Sequence, residues 1–267
     1  MQRDNPGAGA IGTSFECVDL TIGDGIAEIR MKRPTLLNRF DVPAHAEFVA
    51  ALRLVAQDVA ATRVLILSAE GRAFSAGGDF DEMIEAHNHA AVRDRMSHDA
   101  RAVFNGIVDL PIPVISAVQG AAIGLGATIA TLADIVIAWR GAKIADTHVN
   151  VGIVAGDGGI VAWSQSIGVN RAKRYLLTGD IITAEQAYDF GLVTELVDTP
   201  EEVIPHARAM AERIKELPPG GVNGTKRAFA EITRQRAAEA FETGLALEME
   251  SFISPDVPAT IEKLRKR

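Results

Sequence analysis

Apolar and polar residues alternate over residues 15–22 and again over 26–31, the two-residue period of a half-buried strand. Gly23-Asp24-Gly25 lies between the two runs, so they read as a β-hairpin. The spacing then becomes helical over 44–59. Asp41 stands where a helix cap belongs and Pro43 fits the first turn. Residues 63–68, 114–118 and 135–138 are short, mostly apolar runs, as expected of buried strands. An amphipathic pattern predicts one long helix over 83–108, ended by Pro111 and Pro113, and a small-residue helix runs to Leu132. Beyond Gly159 the pattern is mostly helical: 160–167, 170–177, 184–190, 200–217 and 222–252, interrupted by a short strand at 193–197. Strands alternating with helices imply an α/β core followed by a helical C-terminal third.

Composition narrows the function classes. Apolar residues make up 48% and charged residues 23% of the 267, which is the balance of a chain that folds around its own core in water. A formal charge of −8 with no basic face argues against a nucleic-acid partner. The most apolar stretch, 112–137, is interrupted by Gln119, Thr128, Thr131 and Asp134, so it reads as buried core rather than a membrane span. Cys17 is the single cysteine, which excludes an intrachain disulfide. That fits a reducing cytoplasm, as does a polar, Gly-rich start (1–13) with no apolar leader, which is expected to fray.

Two glycine-rich loops carry the candidate chemistry. Ala73-Phe-Ser-Ala-Gly-Gly-Asp79 and Val118-Gln-Gly-Ala-Ala-Ile-Gly-Leu-Gly126 each follow a strand and lead into a helix. Such loops leave backbone N–H groups free at a helix N-terminus. Two of them converging would form an oxyanion hole for an enolate oxygen. Singly, either loop is equally a tight strand–helix turn. Neither matches a dinucleotide or P-loop phosphate motif.

In order and context, these loops resemble the crotonase (enoyl-CoA hydratase/isomerase) superfamily. The resemblance extends from about Phe15 through Lys32-Arg-Pro34 with Asn38, Pro113 to Gly120, Ala133-Asp-Ile135, Gly156-Asp-Gly-Gly159, Leu176 to Asp180 and Ala184 to Leu196. It implies an α/β fold: a crotonase-like spiral of ββα units over 14–199, with a helical region over 200–267 that builds a trimer or a dimer of trimers. It also implies an acyl-CoA or related small carbonyl substrate, with no cofactor besides the coenzyme A carried on that substrate. By the same resemblance, the amides of Gly78 and Leu125 are the oxyanion donors. Leu125 stands where glycine is common, so its side chain should narrow the acyl pocket. Arg30, Lys32 and Arg33 are candidate CoA phosphate contacts, or a solvated strand edge, and the backbone at Ala76 would meet the adenine. Asp81 stands where many relatives have lysine. The basic end, Lys263 to Arg267, either reaches the CoA phosphates or is a frayed tail.

The chain departs from the hydratase pattern at the proton-transfer positions. The two hydratase glutamates are replaced by Thr128 and His148. Thr128 is no base near neutral pH, which argues against hydration by a carboxylate pair. His148 can act as base and then acid. Asp157, nine residues on, could orient it if the intervening loop folds back through Gly152 and Gly156. This pairing resembles the β-diketone hydrolases of the superfamily, in which His activates water and the hole holds the departing enolate. The alternative is that His148 lines the pocket wall and Asp157 caps the next helix. His45 and Glu248 lie on predicted helices that reach the pocket in related hydrolases, although a solvated face suits both. Trp163 reads as core, with pocket lining as its second reading. No spacing of His, Cys, Asp or Glu suggests a metal site. Three functions stay open: an acyl-CoA enzyme of the crotonase type, a β-diketone hydrolase driven by His148 and Asp157, and a catalytically silent acyl-CoA-binding member.

Overall fold

The hairpin closes as its residues require. In a computed structural model describing residues 11–266, Asp24 (φ 49°) and Gly25 (φ 77°) both adopt the left-handed conformation of a two-residue hairpin turn. The turn joins β2 (Val18–Gly23) to β3 (Ile26–Met31) in antiparallel register. A further strand, β1 (Ile11–Ser14), pairs with β2. Residues 11–13, expected to fray, are therefore ladder-bonded, and the rest of that expected segment lies outside the described residues.

From β3 onward the main sheet is parallel. It continues through β4 (Val64–Ala69), β6 (Val114–Val118), β8 (Ile135–Trp139) and β11 (Glu195–Val197), giving the order β1-β2-β3-β4-β6-β8-β11. The alternation inside β4 accounts for its continuous apolar run. Val64 and Ile66 pack beneath α8 (Val203–Lys215) with Ala207 and Ala211, while Leu65 and Leu67 face the main core. A strand covered on both faces has no polar side to show, and this identifies it in sequence.

A second sheet was not legible. It consists of β5 (Ala73–Ser75), β7 (Ala121–Ile123), β9 (Lys143–Ala145) and β10 (Ile182–Thr183), in the order β10-β9-β7-β5. Strands of two or three residues are too short to show a period. Each long strand β4, β6 and β8 is followed by one of these short strands, so the chain winds as a spiral of ββα turns.

The helices differ from expectation at two places. The predicted 83–108 helix is two: α2 (Phe80–Asn88) and α3 (Ala90–Val108), separated by His89 in an extended conformation. Asn88 and His89 are weak helix formers, and the two segments serve different partners. Met83 and Ala86 of α2 pack with Phe252, Val257 and Ile261, whereas Phe104 and Ile107 of α3 join the main core. After α9 (Pro219–Ser251) the chain forms α10 (Asp256–Arg265) instead of a loose tail, and Arg265 pairs with Asp81 of α2. The remaining helices are α1 (Val42–Gln57), α4 (Leu125–Leu132), α5 (Gly159–Ile167), α6 (Val169–Leu176) and α7 (Ala184–Phe190). Asp41 caps α1 through the Ala44 amide at 3.3 Å, as expected. On α9, Phe241 and Leu245 are buried but Phe229, Ile232 and Leu247 stay exposed. No helix among the described residues is long and apolar enough to cross a membrane.

Candidate active site

The two glycine loops meet. The first is fastened from behind by residues 37–40: the Ala76 amide donates to the Leu37 carbonyl at 2.9 Å, Ser75 Oγ donates to the Asn38 carbonyl at 2.8 Å, and the Phe40 amide donates to the Gly77 carbonyl at 2.7 Å. The second turns at Gly124 (φ 54°), whose amide donates to the Ala145 carbonyl at 2.8 Å before α4 begins at Leu125. A Cβ on Gly77 would lie 2.6 Å from the Ile123 carbonyl oxygen, and one on Gly126 would lie 2.6 Å from the Ser75 Cβ. Any larger residue would force the loops apart. The amides of Gly78 and Leu125 donate to no partner among the described residues.

His148 stands beside this junction. It opens a 3₁₀ turn (His148–Val151) directly after β9, and its Cε1 lies 3.8 Å from where a Cβ on Gly124 would sit. The chain does fold back as anticipated: Gly152 takes φ 82°, and Gly156 passes so close to α9 that a Cβ there would strike the Gly244 carbonyl at 2.3 Å. This return brings Asp157 Oδ2 to 3.4 Å from His148 Nε2. On the opposite side of the ring, Asp146 Oδ1 lies 2.6 Å from His148 Nδ1 and also accepts from the His148 amide at 3.3 Å. All three side chains are buried.

The sequence reading missed Asp146. It lies in an Asp-x-His pair at a strand end, a spacing that permits the contact without fixing the direction of the carboxylate. The Thr128 hydroxyl is engaged within the protein: it donates to Asp157 Oδ1 at 2.9 Å. The same oxygen accepts the Gly159 amide at 3.3 Å, so Asp157 both touches the start of α5 and faces His148.

His45 and Glu248 are buried rather than solvated, because α1 and α9 turn these faces inward. The His45 ring lies edge-on to Phe40, with centroids 5.3 Å apart. Trp163 is fully buried in the main core, 6.2 Å from the Tyr175 ring, and makes no hydrogen bond through Nε1 among the described residues. The candidate phosphate cations are already paired: Arg30 and Lys32 with Asp19 at 3.0 and 2.7 Å, and Arg33 with Asp41 at 2.6 Å. Ala76 is half-buried, with its amide used by Leu37.

Burial and charge act against each other around His148. Burial depresses the basicity of His148, but Asp146 and Asp157 outweigh it and hold the imidazole pKa well above 6.5. Burial lifts Asp157 above the ordinary carboxylate range, with His148 opposing. Burial also pushes Glu248 up to about 8, with His148 opposing and Asp157 and Asp146 adding to the rise. Burial lowers His45 to about 4, with Asp41 opposing and Arg95 adding to the fall.

The fold also gathers ligand types that the sequence spacing did not suggest. Asp146, His148 and Asp157 offer ligand atoms all within 4.8 Å of one another, so by donor type they could hold a divalent cation. Hydrogen bonding holds only part of this arrangement: Nδ1 bonds Asp146, whereas Asp157 Oδ2 and Asp146 Oδ2 are buried without a hydrogen-bond partner among the described residues.

Comparison with known proteins agrees with this architecture. The enoyl-CoA hydratase/isomerase family model matches residues 21–262. A trans-2-decenoyl-[acyl-carrier-protein] isomerase of Streptococcus mutans is 29% identical over 88% of both chains. An enoyl-CoA hydratase/isomerase from Mycobacterium paratuberculosis superposes with a TM-score of 0.88 at 34% identity, covering 92% of this chain and 98% of that one. A β-diketone hydrolase from the cyanobacterium Anabaena, bound to (S)-3-oxocyclohexyl acetic acid, superposes with a TM-score of 0.80 at 28% identity, covering 90% and 95%.

Proposed function

This chain belongs to the enoyl-CoA hydratase/isomerase family, and within it we propose that the protein hydrolyses a carbon–carbon bond of a β-dicarbonyl compound. The observation that carries this reading is the buried Asp146–His148–Asp157 row beside two free amides. In the first step, His148 Nε2 takes a proton from water as the oxygen adds to a carbonyl. Asp146 keeps the other nitrogen protonated, and Asp157 stabilises the imidazolium. The tetrahedral adduct then collapses and breaks the bond between the carbonyl carbon and the central carbon. The electron pair passes into an enolate whose oxygen is bound by the Gly78 and Leu125 amides. The imidazolium returns the proton to the enolate carbon, so one water is consumed and a carboxylic acid and a ketone are released. No metal is needed in these steps.

The likeness to the Anabaena hydrolase supports this chemistry, and Thr128 in place of a carboxylate weighs against hydration. The pairing of Arg30, Lys32 and Arg33 with acids favours a substrate without a CoA handle. The exposed apolar residues of α9 suit the trimer or dimer of trimers expected from the sequence.

Turnover of a cyclic β-diketone, a β-ketoacyl-CoA and crotonyl-CoA tests the reading. Hydrolysis of the diketone, lost in both His148→Ala and Asp157→Asn, is the expected result. Hydration of crotonyl-CoA at a rate typical of hydratases would overturn it.

A further inference from the structure

Residue 79, directly after the Gly78 amide, is an aspartate, and its placement creates an electrostatic problem. Asp79 is buried. Its Oδ1 caps α2 by accepting the Asp81 and Glu82 amides at 2.9 and 3.0 Å. A carboxylate one residue beyond an amide meant to receive developing negative charge opposes that charge. The countercharge comes from the loop that fastens Gly77: Arg39 Nη1 lies 2.7 Å from Asp79 Oδ2. Arg39 is itself fixed, because its carbonyl accepts from Arg33 Nη2 at 2.9 Å and the next residue, Phe40, donates to Gly77. Leu37 and Asn38 both hold φ 53°, which turns the chain so that Arg39 crosses to Asp79.

We propose that Arg39 is a positioning residue of the Gly78 amide: its guanidinium neutralises Asp79 and locks the 77–79 backbone so that the amide can bind a developing oxyanion. This rests on the reading of Gly78 as an enolate donor. Arg39 touches neither substrate nor reacting atoms. Its contribution should therefore emerge where charge develops, in kcat, more than in substrate binding.

The test uses the full-length protein and whichever carbonyl substrate wild type turns over, with kcat and KM determined separately for Arg39→Ala, Arg39→Lys and the double variant Arg39→Ala/Asp79→Asn. Removing a whole oxyanion donor costs about 10²–10³-fold in kcat, so losing the screen beside one should cost less, about tenfold, with KM within about twofold. Lysine should restore part of the loss. The double variant should restore most of it, because asparagine keeps the helix cap and removes the charge. A purely structural role for Arg39 would instead give a lower melting temperature and no recovery on adding Asp79→Asn. Unchanged kcat in Arg39→Ala, or a loss that Asp79→Asn fails to restore, overturns the proposal and leaves the enolate reading standing. Wild type that turns over none of the three carbonyl substrates overturns the enolate reading, and the role of Arg39 with it.

Discussion

The two halves of the site are built by opposite means. The glycine half is backbone: two loops pressed together until no Cβ fits at Gly77 or Gly126, presenting amides that carry no titrating group. The charged half is side chain: His148, Asp157 and Glu248 are buried, with ionisation set by burial, by one another and by the nearby Asp146. Family resemblance attaches to the first half, since many reactions can share an enolate hole. The particular reaction belongs to the second, where a single change of residue alters what can move a proton.

Removing each half in turn is the sharpest way to break this division. Loss of a general base costs about 10²–10⁴-fold, so His148→Ala should reduce kcat by that amount and leave substrate binding nearly intact. The backbone half is reached by Leu125→Pro. Proline is tolerated at the first helical position but carries no N–H, so α4 should persist while kcat falls about 10²–10³-fold. Leu125→Ala, which keeps the amide, is the control. If Pro and Ala at residue 125 behave alike, the side chain matters there and the amide does not.

A smaller effect separates the two aspartates. Because Asp146 and Asp157 favour the imidazolium, the free base of His148 becomes available only above its raised pKa, and kcat/KM should increase with pH through a midpoint above 6.5. Asp146→Asn removes a negative charge, so the imidazolium is less favoured and the midpoint should move to lower pH. A pH–rate profile unchanged in Asp146→Asn would detach Asp146 from the mechanism.

A separate effect, spread over several pH units, concerns stability. Glu248 has a folded pKa of about 8 against an ordinary 4.5. Between those values the folded protein binds more protons than the unfolded chain, so this group's contribution is fully present below about 4.5 and declines as pH rises through 8. Urea denaturation of Glu248→Gln should show a shallower fall across that window, by up to about 1.4 kcal/mol per pH unit. Parallel curves for wild type and variant would mean that Glu248 is not buried as described.

The glycine half was the legible half. Tight strand–helix turns demand glycine, and the parallel strands leading into them declare themselves as unbroken apolar runs. The short second sheet was invisible because two or three residues show no period. The charged half was legible only in part. His148 and Asp157 could be paired because Gly152 and Gly156 permit a return loop. Asp146 was overlooked although it lies two residues from His148, since nothing in an Asp-x-His sequence shows which way the carboxylate turns. His45 and Glu248 looked like solvated positions because sequence alone does not show which helix faces become buried.

Hydrolysis of a cyclic β-diketone in H₂¹⁸O tests the central claim most directly, since it follows the oxygen that His148 is held to activate. One ¹⁸O atom should enter the product carboxylate per turnover in the wild type, and His148→Ala should slow turnover, and with it the rate of label uptake, about 10²–10⁴-fold. Turnover without ¹⁸O in the carboxylate, or an undiminished rate of labelling by His148→Ala, would contradict the assignment of His148 as the base that activates water.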